Sequence, residues 1–350
     1  MSQKLAPPPA IARETMLALL AAASECAAAK PWEFMSDCDL VGLTDSKTEE
    51  IRLASVLGYG AEEFEAVFYR HAAGLRWVLR GTERPEDSLR VDALEGMDCL
   101  KVEMVSKREL MKEELDLLKT LDFKPSGSGS VWPQFQSSTP GWMPWHIDQT
   151  EAEQLLADLP RLARFQELFR HHPDLFKNRL PDEIPMLPDP MPDRPLVKAD
   201  LEWRSFICTP VPHEPFKVSD QQLTRLQSLE RVPRSCYEYG CNITRKSWIL
   251  EQGRPCLSRL SLLVEHGRGF VLGFELSLGS EPFSDSAGKG LVNTLVKNGF
   301  LPEKILIHDL RLKPILQPFC DDLQIELSLV DELDFLTEAM ISIDDFLRGS

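Results

Sequence analysis

The stretch CLSRLSLLVEHGRGFVLGFELS, residues 256–277, is the strongest structural signal in this 350-residue chain. Two apolar runs, LSLLV and FVLGFEL, flank EHGRG, whose two glycines suit a tight turn. Apolar runs of this length, bounded by turn residues, predict an antiparallel β-hairpin.

Helix-like and strand-like segments alternate after this hairpin. The order predicts a mixed sheet in which the last strands are parallel, buried and joined by right-handed crossovers. The predicted elements are a helix in 287–300, a strand in 304–309, a helix in 312–323, a strand in 325–330 and a helix in 332–347.

The N-terminal part predicts a separate α+β unit over residues 1–123. KPSGSGS at 124–130 is the clearest Gly/Ser linker, so we expect a domain boundary there and a second, α/β domain over 131–350. The fold class is therefore α+β with two domains. The predicted elements of the first unit are helices in 11–29, 72–81 and 107–121 and strands in 39–45, 50–60, 64–71 and 98–106.

VWPQFQSSTPGWMPWHID, residues 131–148, places Trp132, Trp142 and Trp145 in a proline-broken segment. Each indole buries on the order of 200 Å² when packed, so three rings left in water would form a large apolar patch. We expect the rings to fasten this loop-like segment to the rest of the protein. The alternative is a ligand-stacking groove formed by these rings and His146.

Two further segments carry clear signals. Asp148 and Glu151 form a capping box for a helix that Pro160 should break or kink. PDEIPMLPDPMPDRP at 181–195 holds six prolines and predicts an extended arm on the surface. The alternative for this arm is a recognition motif for a partner's groove.

Composition narrows the class of protein. The net charge is −16, and no stretch is basic, so we do not expect nucleic-acid binding. None of the eight cysteines forms a Cys-x-x-Cys pair, which favours reduced thiols in a cytoplasmic protein. The alanine-rich N-terminus reads as a helix rather than a signal peptide, and no stretch approaches the roughly 20 apolar residues of a membrane span.

Several motifs carry a resemblance over nearly the whole chain. They are LASVLGYG, AVFYRHAAGLRWVLRG, WPQFQSSTPGWMPWHID and the closing FVLGFELS, LPEKILIHD and LQIELSLVDEL. With these motifs the chain resembles uncharacterised bacterial proteins that pair two domains of unknown function. The resemblance implies no activity.

The C-terminal element order is also similar to the ribonuclease H-like fold of integrases and transposases. That resemblance implies a first acid at Glu251, a second at Asp309, and a third from the last helix, at Glu332, Asp334 or Glu338. Glu265 is an alternative first acid. Such a cluster would hold two Mg²⁺ ions for phosphate chemistry. Carboxylates more than roughly 8 Å apart could not share the metal–metal spacing of about 4 Å.

Ordinary structural roles compete with each of these sites. Asp309 precedes a predicted helix and would serve as its N-cap. SDSAGKG at 284–290 lacks the first glycine and the Ser or Thr of a phosphate loop, so we expect Ser284 or Ser286 to cap a helix there. We therefore expect a non-catalytic interaction or regulatory protein without a cofactor. The alternatives are a metal-dependent nuclease-like protein and a small-ligand binder with a Trp-lined pocket.

Overall fold

The computed structural model describes residues 5–45, 48–59, 64–70, 95–125, 131–177, 179–180, 182–206 and 213–349. This part of the chain forms seven α-helices and two mixed sheets, which confirms the α+β class. The helix predicted at 72–81 lies outside the described residues.

The first sheet has eight strands in the order β6-β5-β4-β3-β2-β1-β7-β8. Neighbouring strands are antiparallel, except that β1 and β7 are parallel. The strands are β1 Val41–Thr44, β2 Ile51–Leu57, β3 Phe64–Tyr69, β4 Cys99–Val105, β5 Trp132–Ser138, β6 Trp145–His146, β7 Glu183–Leu187 and β8 Glu202–Ser205.

Three helices accompany this sheet: α1 Arg13–Ala28, α2 Lys112–Thr120 and α3 Gln149–His171. Helices α1 and α3 pack on each other and on one face of the sheet, burying Leu19, Leu155 and Phe165 completely. The predicted capping box at the start of α3 is present, whereas Pro160 lies inside α3 without ending it. We call this assembly of β1–β8 and α1–α3 the first unit.

The second sheet has five strands in the order β11-β10-β9-β12-β13. Strands β9, β12 and β13 are parallel, and β10 is antiparallel to both of its neighbours. The elements of this second unit are α4 Asp220–Gln227, β9 Glu230–Glu251, β10 Arg254–Glu265, β11 Val271–Leu278, α5 Phe283–Asn298, β12 Phe300–Ile307, α6 Leu312–Asp322, β13 Glu326–Leu329 and α7 Asp334–Gly349.

The hairpin at 256–277 and the alternating elements after it are confirmed. Helices α5 and α6 cover one face of the second sheet, and α7 covers the other. Gly240 on β9 permits the close approach of α7, because a Cβ there would lie 2.6 Å from Leu336 Cδ2. The likeness of this unit to the ribonuclease H-like fold stays a prediction.

The sheet order differs from the boundary predicted at 124–130. Strand β5 follows this segment and pairs along its whole length with β4, so the Gly/Ser stretch joins two parts of the first unit. The change from one sheet to the other comes between β8 and α4. A Gly/Ser stretch is equally suited to a loop within a domain, which is why composition alone misplaced the boundary.

Two proline-containing segments form strands rather than loops or arms. The Trp-containing segment contains β5 and β6, and the predicted arm at 181–195 contains β7, which lies between β1 and β8. Ile184, Met186 and Leu187 are buried on β7. Burying three such side chains stabilises the fold by several kcal/mol. This gain is larger than the loss of the one backbone hydrogen bond that Pro185, which has no N–H group, cannot donate.

The predicted serine cap of α5 is wrong. The helix begins at Phe283 after Pro282, and no side chain caps it. Ser286 is buried, and its hydroxyl accepts a hydrogen bond from Arg259 at 3.0 Å. That serine is therefore engaged with the sheet instead of the helix end.

A turn of the first unit pairs with the second unit in strand-like fashion. Met143 N donates to Pro255 O at 3.1 Å, and Leu257 N donates to Gly141 O at 3.0 Å. Gly141 has φ +77°, and a Cβ there would lie 2.0 Å from Gly279 O. Only glycine fits this contact, because both the backbone conformation and the space exclude a side chain.

Candidate functional site

Glu95 joins the two units through a buried ionic contact. It lies in the first unit, shortly before β4, and its side chain is 6% exposed. Its Oε1 lies 2.8 Å from Arg259 on β10, and its Oε2 lies 2.9 Å from Arg311 at the start of α6. Two guanidinium groups therefore share one carboxylate in a dry interface, where a lone charge would be costly.

Asp309 and Phe283 complete the surroundings of Arg311. Asp309 accepts from Arg311 Nε at 2.8 Å, and the guanidinium lies 4.1 Å from the Phe283 ring centroid. Burial alone lowers the pKa of Arg311, but the negative charges of Glu95 and Asp309 outweigh it and raise the pKa above its ordinary value. Arg311 is thus a permanent cation whose charge is already matched.

A cavity of about 760 Å³ opens at the carboxyl ends of β12 and β13. Its walls are the segment from His308 to Leu312, the first turns of α7, and Tyr239 to Asn242 on β9. Strands β9 and β12 are neighbours in the sheet. The chain continues from β9 to β10 on one side of this pair and from β12 to β13 on the other side, so the cavity lies where the direction of the strand order reverses. Crevices at this position of open α/β sheets are the usual ligand sites.

Carboxylates dominate the lining of this cavity, which we call the acidic cleft. Asp331, Glu332, Asp334 and Glu338 line it and are exposed. Within the described part of the chain, none of these four side chains has an ion-pair or hydrogen-bond partner. Their charges act together on whatever enters, since the guanidinium of Arg311 is already neutralised by Glu95 and Asp309.

Glu238 fixes the wall that α7 contributes. Its carboxylate is 1% exposed, and it accepts from Leu336 N at 2.7 Å while lying 2.7 Å from His266 Nδ1. Leu336 lies in the first turn of α7, where backbone N–H groups lack partners within the helix. A strand residue therefore caps this helix and holds its acidic start at the mouth of the cleft.

The predicted acids are only partly brought together. Asp309 and Glu332 both line the acidic cleft. From the register Leu306↔Glu238, Asp309 is level with Cys241 on β9. Glu251 lies farther along that strand and accepts from Ser280 Oγ. Cys241 is opposite Ser261 and Glu251 is opposite Arg254, so seven residues of β10, roughly 23 Å, separate the two levels.

Glu265 is the last residue of β10, which lies on the other side of β9 from β12. It is opposite Tyr237, on the side of β9 that faces away from β12. Two strand spacings across the sheet, roughly 10 Å, and four residues along it, roughly 13 Å, therefore separate it from Asp309. Among the residues that the structure describes, no three His, Cys, Asp or Glu side chains could hold a metal ion together.

The three tryptophans are half-buried and have separate surroundings. Trp132 lies on β5 with its ring centroid 6.3 Å from that of Phe123, and Trp142 lies under the Arg254 guanidinium at 4.9 Å. Trp145 on β6 is next to His146. None of the three lines the acidic cleft, and only Trp142 lies in the turn that joins the two units.

His146 lies on β6 beside a small cavity of about 60 Å³ that Pro8 and Glu114 also line. Burial lowers the pKa of His146, although the nearby carboxylates of Glu114 and Glu113 oppose this shift. Burial therefore favours the neutral form of this imidazole. The cavity has room for a water molecule or two, not for a metabolite.

Sequence reasoning missed Glu95, Arg259 and Glu238. Arg259 carried a usable signal, because it is a charged residue within the apolar run of β10 and is 2% exposed. A charge in such a position requires a buried partner. The partner itself was not deducible, since Glu95 precedes Arg259 by 164 residues.

The fold and the cleft define a two-unit α+β protein with a charged crevice in its second unit. Residues 17–186 match the family described as "Domain of unknown function (DUF7309)", and residues 222–344 match "Domain of unknown function (DUF6930)". The chain therefore carries two domains of unknown function, as its sequence motifs predicted.

No curated protein and no solved structure matches the chain. Among the described residues, no helix is long and apolar enough to cross a membrane.

Proposed function

We propose that this protein is a non-catalytic interaction protein whose acidic cleft binds a positively charged segment of a partner. The observation that carries this proposal is the set of four carboxylates, Asp331, Glu332, Asp334 and Glu338, around one cavity. We place this role in the bacterial cytoplasm. The seven described cysteines are free thiols, which supports a reducing compartment.

The dimensions of the cleft support binding of side chains rather than of a flat surface. A volume of about 760 Å³ lies within the range of pockets that enclose small ligands or a few side chains. Each carboxylate near the surface attracts a unit positive charge 4 Å away by up to about 4 kcal/mol before desolvation is counted. Four such groups together provide both steering and retention of a cation.

Asp309 in the cleft and Glu238 behind its α7 wall have structural roles, which supports binding without catalysis. Asp309 holds Arg311, and Glu238 holds both His266 and the start of α7. A general acid or base needs freedom to exchange a proton with a substrate. Groups engaged in this way serve to hold the walls of the cleft in place.

The partner we propose is a lysine- or arginine-rich protein segment. Such a segment carries several ammonium or guanidinium groups, whose positive charge is complementary to that of the four carboxylates. Long aliphatic stems would pack on Leu333, Phe335 and Met340, which also line the cleft.

A labelled hexalysine peptide tests this proposal by fluorescence anisotropy at low ionic strength. We expect the triple variant Asp331→Asn/Glu332→Gln/Glu338→Gln to lose at least about tenfold in affinity, or about 1.4 kcal/mol. Salt should weaken binding to the unmodified protein, because the carboxylates are exposed.

The matched control neutralises three exposed acids away from the cleft, in the variant Glu167→Gln/Asp193→Asn/Glu214→Gln. It changes the net charge by the same amount and should keep its affinity within about twofold. Equal losses in the two variants would mean that only the overall charge of −16 attracts the peptide, and the proposal would fail.

A further inference from the structure

The edge strands of the two sheets differ in how they are protected. Strand β6 has two residues, and β8 and β13 have four each. Strand β8 carries the pair Glu202–Arg204, and Glu326 on β13 is bound by Lys304. Short, charged edges of this kind prevent another chain from adding a strand.

Strand β11 is the exception among these edges. It has eight residues, VLGFELSL, with Glu275 as its one charged side chain. Phe274 is 48% exposed and Leu276 is 42% exposed, and Phe270 just before the strand is 67% exposed. A long apolar edge left open is a template for pairing with a further strand.

The two exposed apolar side chains share one face of the sheet. Phe274 is opposite Leu262 and Leu276 is opposite Leu260, and Leu262 belongs to the cluster under α7. A strand added beside β11 would therefore cover both side chains at once and extend the layer beneath α7. Removing the apolar surface of each side chain from water would stabilise the pairing of the two strands.

We propose that a second copy of this chain occupies the edge, with β11 of each copy paired antiparallel about a two-fold axis at Leu276. In this register Leu276 faces Leu276 of the second copy, and Phe274 faces Leu278. The two five-stranded sheets become one continuous ten-stranded sheet. Such an isologous contact closes on itself and ends the assembly at two copies.

Charge and hydrogen bonding select this register and favour a second copy as the occupant. An axis at Glu275 would place two glutamates face to face, which is destabilising. An axis at Phe274 would pair Leu276 with Leu272 of the second copy. Leu272 has no partner on β10, because the register of the β10–β11 pair shifts at that point. With the axis at Leu276, Glu275 instead faces Ser277.

The hydroxyl of Ser277 supports the same pairing. Within the described part of the chain, Ser277 Oγ is buried and has no hydrogen-bond partner. A buried hydroxyl without a partner is destabilising, because it has lost its hydrogen bonds to water. The carboxylate of Glu275 from the second copy would accept a hydrogen bond from it, and the two-fold axis repeats that contact.

Sedimentation equilibrium of the full chain tests the proposal at concentrations up to about 100 µM, far above a micromolar dissociation constant. We expect twice the chain mass for the unmodified protein. Leu276→Lys should sediment as a monomer, because it opposes two lysines at the axis. The matched control Leu329→Lys, on the exposed edge strand β13, should remain a dimer.

A cysteine variant tests the register and does not depend on losing stability. Directly opposite residues have Cβ atoms about 4.5–5.5 Å apart, so Leu276→Cys should form an intermolecular disulfide on mild oxidation. Phe274→Cys should not, because Leu278 faces it. A monomeric unmodified protein, a dimeric Leu276→Lys variant, or cross-linking through Phe274→Cys instead would overturn the proposal.

Discussion

Glu95 shows what one residue does for the arrangement of the two units. Its carboxylate is the shared partner of Arg259 and Arg311, and all three side chains are largely buried. Removing it would leave two guanidinium groups in a dry site with fewer acceptors. The loss of stability would arise because the two buried guanidinium charges lack a compensating carboxylate, rather than from the lost attraction itself.

We therefore expect Glu95→Ala to lower the free energy of unfolding by about 3 kcal/mol. Urea denaturation at 25 °C measures this change. Glu33→Ala removes an exposed pair with Lys30, in which both side chains are more than half exposed, and should cost under about 1 kcal/mol. Equal, small losses in both variants would show that the buried contact does not hold the units together.

His146 gives the protein a pH-dependent stability. Burial lowers its pKa in the folded state below the ordinary value of 6.5. The unfolded chain therefore binds the proton more readily, so stability is complete above about pH 6.5 and declines as the pH falls below it. His146→Gln should reduce the difference in unfolding free energy between pH 8 and pH 5.5.

The control for that pH experiment is the exposed His171 at the end of α3. His171→Gln should leave the pH dependence as it is in the unmodified protein. A pH dependence that survives His146→Gln unchanged would show that other groups set it.

At the scale of elements, the position of α7 depends on a strand. Glu238 on β9 accepts from Leu336 N, so the helix is anchored at its first turn as well as by its apolar side. Loss of this acceptor leaves a backbone donor unsatisfied and costs about 1–3 kcal/mol locally. The acidic cleft would then lose a fixed wall.

Limited digestion with chymotrypsin measures this effect, because Phe335 lies beside the anchored amide. Glu238→Ala should speed cleavage at Phe335 severalfold, since local opening becomes more favourable. Glu238→Gln keeps an acceptor and should be cut at a rate closer to that of the unmodified chain. An unchanged rate in Glu238→Ala would contradict the anchoring role.

Elements were predictable from sequence where one local pattern decided them. The β10–β11 hairpin has apolar runs on both sides of a glycine turn, and α3 has its complete capping box. Strands β5 and β7 were missed because Pro133 and Pro185 weaken the local signal, while pairing with distant strands decides the structure.

The same reasoning explains which parts of the cleft could be predicted. Asp309, at the end of a predicted strand, and Glu332, at the start of the last predicted helix, were named from the resemblance to the ribonuclease H-like fold. They line one cleft because the carboxyl ends of parallel strands meet at the same edge of the sheet. Glu251 lies on the same strand as Glu238 but at its far end, because β9 is 22 residues long, from 230 to 251. The length of β9, which could not be predicted from the sequence alone, places Glu251 far from Asp309 and Glu332.

At the scale of the whole molecule, the hydrogen bonds between the two units, among the described residues, reach β10, Gly253 before it and Arg311, not β11 or the four carboxylates of the acidic cleft. The contacts at Glu95 and at Gly141 both reach β10 or the segments beside it. The cleft opens where α7 begins, and β11 lies at the sheet edge beyond β10. A partner segment and a second copy could therefore bind at the same time.

Amide hydrogen exchange of the full chain, with and without saturating hexalysine, tests the central claim most directly. We expect slower exchange in peptides covering 308–312 and 331–340, which line the acidic cleft, and unchanged exchange in the first unit. Protection elsewhere with no change in these two segments would contradict the assignment of the cleft as the binding site.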